Sequence, residues 1–113
     1  GLLGTGFTME QAFFSGHLAQ RHGLRVLVPD AVRRREVHRV IYEELCAGQV
    51  VETSRAFLRD TMAGLVAQGA ETILLSCTEL MLLVGPDDAT VPLVDSTAAH
   101  ALAAVDFALA STP

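Results

Sequence analysis

The sequence predicts an α/β fold, a parallel sheet of about four strands with helices on both faces, built as a single domain over residues 1–113. Three observations carry this expectation. Short aliphatic runs alternate with longer segments of helical period. A glycine stands where each of three helical segments should stop, at Gly23, Gly48 and Gly69. The apolar runs end in Gly, Ser, Thr or Asp just before the next helix begins. Strands separated by helices need right-handed crossovers, and such crossovers make the sheet parallel.

Taken in order, the chain opens on "GLLGTG", the end of an apolar strand followed by a glycine-rich turn. Thr8 then begins a helix with Gln11 at the capping-box position, Phe13, Phe14 and Leu18 as its apolar stripe and Gly23 as its stop. "LRVLVPD" reads as a strand halted by Pro29, and Asp30 caps a helix that turns Val37, Val40, Ile41 and Leu45 to the core before Gly48 closes it. A helix from about Val50 to Gln68 carries Phe57, Leu58, Met62, Leu65 and Val66 on one side. The strand "TILLS", a short helix Glu79 to Leu83, the turn "GPDD", the strand "VPLVD" and an Ala-rich helix from Ser96 to Ala110 complete the order β-α-β-α-α-β-α-β-α. No repeat, low-complexity tract or linker interrupts it.

Composition narrows the function classes. Half of the residues are hydrophobic and 19% are charged, which argues against disorder, and no apolar run reaches the ~20 residues a membrane-spanning helix needs. Nothing at the start resembles a secretory signal, so a cytoplasmic location is expected, with no membrane partner. Net charge is −5 and every basic residue is Arg; "RRRE" at Arg33 to Glu36 reads as a solvated helix face rather than a nucleic-acid patch. Cys46 and Cys77 are far apart and read as free thiols. No metal site is expected, since neither cysteine forms a CxxC pair and His17, His22, His38 and His100 lack paired zinc spacing. "GTGFTM" holds two of the three glycines of a dinucleotide fingerprint and no acid at the right interval.

Three strand-to-helix junctions, "LLGTGFT", "LLSCTE" and "LVDST", should share the carboxyl edge of the sheet, where open α/β sheets bind ligands. Thr5, Thr78 and one of Ser96 or Thr97 could converge there on one acidic small molecule, while Thr8 and Ser96 read first as helix caps. At "SCTE" a helix N-terminus would stabilise the thiolate of Cys77, making it base or nucleophile, and Glu79 could orient that thiol or exchange protons with it. The alternatives stay open on residue type alone. A cysteine in an apolar stretch is more often core than catalytic, and Glu79 could be a first-turn carboxylate. Cys46, late in an amphipathic helix, reads as buried packing, and His100 as a packed residue.

"GLLGTGFTMEQAFFSGHL", "VHRVIYEELCAG", "SRAFLRDTMAGLVAQGAETILLSCTEL" and "VPLVDSTAAHALAAVDFAL" together resemble the aspartate/glutamate racemase family, in its aspartate racemase or broad-specificity amino-acid racemase branch, over essentially the whole chain. The resemblance implies two similar α/β halves facing across a cleft. Each half gives one cysteine, and the pair moves a proton between the two faces of Cα without a cofactor. By this likeness Cys77 is one acid/base thiol with Glu79 beside it, and Thr5 and Thr78 hold carboxylates of an amino acid or dicarboxylate. The sequence matches only the second, C-terminal half of that pattern, so a first half or a second subunit is expected as partner, and a homo-oligomer is expected. Relatives of this kind also include cysteine-dependent isomerases and decarboxylases of small dicarboxylates, and a half-protein that binds a partner or small acid without turnover fits the same motifs.

Overall fold

A computed structural model describes residues 1–110; Ser111 to Pro113, the end of the expected domain, lie outside the described residues. Three short strands form a parallel sheet in the order β1 (Leu2–Leu3), β2 (Ile73–Leu75), β3 (Leu93–Asp95), with β2 central. Leu3 pairs with Leu75 and Leu75 with Asp95, so the three strands end level with one another. Helices flank this sheet: α1 (Gly6–Glu10), α2 (Ala12–His22), α3 (Ala31–Arg39), α4 (Glu52–Ala67) and α5 (Ser96–Ala110).

The expected fourth strand is not formed. Leu2 N–H donates to the Leu27 carbonyl at 2.9 Å, but the segment from Leu24 onward has no strand geometry. A parallel ladder would take its next bond from the N–H of residue 29 to the Leu2 carbonyl, and residue 29 is a proline, which has no N–H. The first helix also begins earlier than Thr8. Thr5 is its N-cap, and at Gln11 the backbone turns extended (φ −88°, ψ 142°), dividing α1 from α2 where a capping glutamine was expected. The stripe Phe13, Phe14 and Leu18 does not enter the core, since no residue of α2 is buried.

The helices facing the core agree with their sequence pattern. Asp30 caps α3 by accepting from Arg33 N at 2.9 Å, and Val37, Val40, Ile41 and Leu45 are all buried. Beyond Arg39 the helix widens into a π turn (Val40–Glu44) and tightens into a 3₁₀ turn (Leu45–Ala47) that Gly48 ends at φ 76°. α4 buries Leu58, Met62 and Leu65 against Ile73 and Leu75, with Phe57 packed beside them. Cys46, expected in the core, is exposed, because the change of helical pitch rotates the 3₁₀ turn and leaves Leu45 alone facing inward. The "RRRE" face is less solvated than its charges suggest: Arg33 reaches Asp60 (2.7 Å) and Thr61 (3.2 Å) on α4, and Arg34 pairs with Glu10 (3.4 Å) on α1.

Helix α5 stands apart. None of its residues is buried, His100 included, and Leu102, Val105, Phe107 and Leu109 are 55–78% exposed. The radius of gyration, 14.8 Å, exceeds the about 13 Å of a compact domain of this length. Among the described residues no helix is long and apolar enough to cross a membrane.

Truncating the buried Leu65 to Ala should cost about 2–5 kcal/mol in denaturant unfolding of the chain, whereas Leu102→Ala should stay within about 0.5 kcal/mol. Equal losses at the two positions would mean that α5 is packed in solution.

Candidate functional site

Level strand ends place three chain reversals side by side: Gly4–Thr5 after β1, Ser76–Cys77 after β2 and Ser96 after β3. The first two touch. A Cβ on Gly4 would lie 3.2 Å from the Ser76 carbonyl oxygen and 3.1 Å from Thr8 Cβ, so any side chain there would crowd the close approach of these junctions. The third is tied in by Ser96, whose Oγ donates to the Leu75 carbonyl at 2.8 Å. Ser96 is therefore not the cap of α5. That role belongs to Asp95, which accepts from Ala98 N at 3.0 Å.

Within the middle junction Cys77 Sγ lies 3.0 Å from Glu79 Oε2, and Thr78 Oγ1 lies 2.6 Å from Glu79 Oε1. Both groups donate to one carboxylate, which the Thr78 hydroxyl first and the Cys77 thiol second hold below the usual glutamate range. The thiol moves the other way. Burial first, then the hydrogen bond to the Glu79 carboxylate, push Cys77 up to about 11. The backbone amides of Glu79 and Leu80 do favour the thiolate, as the strand-to-turn position suggests, but burial and the Glu79 carboxylate outweigh them where the helix expected from Glu79 to Leu83 is a single 3₁₀ turn (Leu80–Leu82). At rest Cys77 is a half-buried thiol, a proton donor already aimed at a carboxylate.

Of the four residues nominated from sequence, the structure unites Cys77, Thr78 and Glu79. Thr5 lies at the neighbouring junction, where its hydroxyl makes no cap bond to α1 and sits 3.5 Å from Thr8 Oγ1. An apolar depression of about 520 Å³ lies between α2 and the opposite face of the sheet, bounded by Leu18, Leu24, Leu74 and Val94, and none of its lining residues belongs to the cluster. No group of three or more His, Cys, Asp or Glu is placed to hold a metal ion among the described residues.

Sequence reasoning weighed His38 only as a metal ligand. Its Nδ1 accepts from the backbone N–H of Gly6, adjacent to Thr5, at 2.8 Å. Nothing in the spacing of the histidines could reveal a contact that spans 32 residues and depends on how α3 crosses α1.

Comparison with known proteins gives the same picture of the chain. Residues 1–104 match the pattern of a family described as Asp/Glu/hydantoin racemase. A crystal structure of a candidate Asp/Glu racemase from Yersinia pestis is similar at 52% identity and a TM-score of 0.92 over 96% of this chain and 47% of its own. An aspartate racemase homologue from Pyrococcus horikoshii OT3 is similar at 34% identity and a TM-score of 0.74, over 84% of this chain and 41% of its own. The chain therefore spans less than half the length of these two structures.

The reactivity of the two thiols should run opposite to the order expected from sequence. With iodoacetamide at about pH 8, mass mapping should find Cys46 alkylated first, and the Cys77 rate should climb only as the pH approaches about 11, since thiol persists below that value and thiolate appears above it. Glu79→Gln removes an acceptor and a negative charge, so it should shift the Cys77 profile to lower pH; an unmoved profile would show that the carboxylate does not control the thiol.

Proposed function

Because the chain belongs to the Asp/Glu/hydantoin racemase family, we propose that it supplies one half-site of a cofactor-independent amino-acid racemase acting on aspartate or glutamate in the cytoplasm. The observation that carries this reading is the contact of Cys77 Sγ with Glu79 at 3.0 Å, at the carboxyl edge of the sheet.

In the proposed reaction a base on one face of the substrate takes the Cα proton, and Cys77 gives its S–H proton to the other face. The resting state suits the second role, since the thiol is protonated. Run in reverse, the Cys77 thiolate is the base, and its high pKa makes it a strong one. Glu79 then has two effects. It directs the S–H bond before transfer, and it repels the thiolate afterwards, which favours return of a proton. The Thr5 hydroxyl makes no cap bond to the backbone of α1, which supports a role for it as donor to a substrate carboxylate. Thr78 spends its hydroxyl proton on Glu79, so it would donate to a substrate carboxylate only by exchanging that bond.

Two opposed groups are needed and the chain brings one. Cys46 is exposed on a 3₁₀ turn outside all three junctions. The second group would come from a first half or from a second subunit, and the exposed apolar residues of α5 are suited to such a partner. A two-fold dimer of this chain would bring a second "SCTE" junction in place of the first-half site.

The isolated chain should fail to racemise L-aspartate or L-glutamate at an enzyme-like rate, because each positioned acid or base contributes about 10²–10⁴-fold, or roughly 3–5 kcal/mol of transition-state stabilisation. Cα-proton exchange in D₂O and loss of optical rotation should both appear when a racemase first half is added, and both should vanish with Cys77→Ser. Fast rotation loss by the chain alone, abolished by Cys77→Ser, would overturn the half-site and indicate a dimeric active centre. Turnover unaffected by Cys77→Ser would overturn the role of the thiol.

A further inference from the structure

His38 lies on α3, outside the cysteine motif, yet its contacts converge on the junction that carries Thr5. Its Nδ1 takes the N–H of Gly6, the first residue of α1, at 2.8 Å. The ring is fixed from two further directions. It stacks on Tyr42 with centroids 4.6 Å apart and planes at 28°, and the ring of Phe7 meets it edge-on at 5.8 Å. The fit also constrains its neighbour, since a Cβ on Gly6 would fall 3.2 Å from His38 Nδ1.

An imidazole whose Nδ1 accepts carries its proton on Nε2 and is neutral. Protonating Nδ1 would set one N–H against another and break the bond to Gly6. Thr5 immediately precedes that amide, and its side chain makes no cap bond of its own to α1. We propose that His38 is a positioning residue: its Nδ1 anchors Gly6 and so sets the Thr5 hydroxyl for a substrate carboxylate. This deepens the carboxylate reading of Thr5 and rests on it. The titratable and charged groups around the imidazole are Glu10 on α1, Arg34 and Arg35 on α3, which share a cleft of about 250 Å³ with it, and the Tyr42 phenol stacked on its face. Arg34 and Glu10 neutralise each other at 3.4 Å.

The test joins L-aspartate titration calorimetry on the 113-residue chain with ¹⁵N NMR. At about pH 8 a coupling through the hydrogen bond between the Gly6 amide nitrogen and His38 Nδ1 should be measurable. His38→Asn places an oxygen acceptor near the position of Nδ1, so it should keep binding within about threefold; His38→Leu should weaken binding about tenfold. An absent coupling at about pH 8, or wild-type affinity in His38→Leu, overturns the proposal. Thr5→Ala separates the two levels of the inference. If Thr5→Ala binds L-aspartate as the wild type does, the carboxylate reading fails and the role of His38 fails with it. If Thr5→Ala loses binding while His38→Leu behaves as wild type, only the role of His38 fails.

Discussion

Parallel pairing in level register is the constraint from which the rest of the molecule follows. Leu3, Leu75 and Asp95 stand abreast, so the chain must leave the sheet three times at one edge, and each departure delivers hydroxyl, thiol or carboxylate groups to that edge. The register is held by burial as well as by backbone bonds. Leu3, Ile73 and Leu75 face α3 and α4, and a one-residue slip would turn them to the other side of the sheet. Gly4 then lets the first two junctions approach so closely that a Cβ there would fall 3.2 Å from the Ser76 carbonyl oxygen. Without that contact, Thr5 and Cys77 would belong to separate loops.

Electrostatics at the middle junction follow from what is missing after it. The backbone amides of Glu79 and Leu80 at this single 3₁₀ turn draw the Cys77 thiol down, and burial beside a carboxylate draws it up by more. The thiol is consequently held in its acid form. For the proposed proton transfer this makes the half-site a poised donor.

Much of this was legible in the sequence because it depends on local rules. Asp30 as a cap, Gly23 and Gly48 as left-handed stops and the buried set Val37, Val40, Ile41 and Leu45 follow from capping, glycine conformation and helical period. The position of Cys77 after a strand was legible for the same reason. What the sequence hid depends on tertiary geometry. Pro29 was read as the end of a strand, whereas its missing N–H prevents the ladder. A π turn followed by a 3₁₀ turn breaks the 3.6-residue period that placed Cys46 inside. The contact of His38 with Gly6 joins two helices whose crossing no periodicity specifies.

The central claim is that one amino-acid substrate is held with its Cα against Cys77 and its opposite face open to a second group. A crystal structure of the chain with L-aspartate addresses this most directly. The account predicts Cα within about 3.5–4 Å of Cys77 Sγ, a carboxylate on the Thr5 hydroxyl and no side chain of this chain over the far face of Cα. Aspartate bound in the depression between α2 and the sheet, or seated at the edge with Cys77 turned away from Cα, would contradict it.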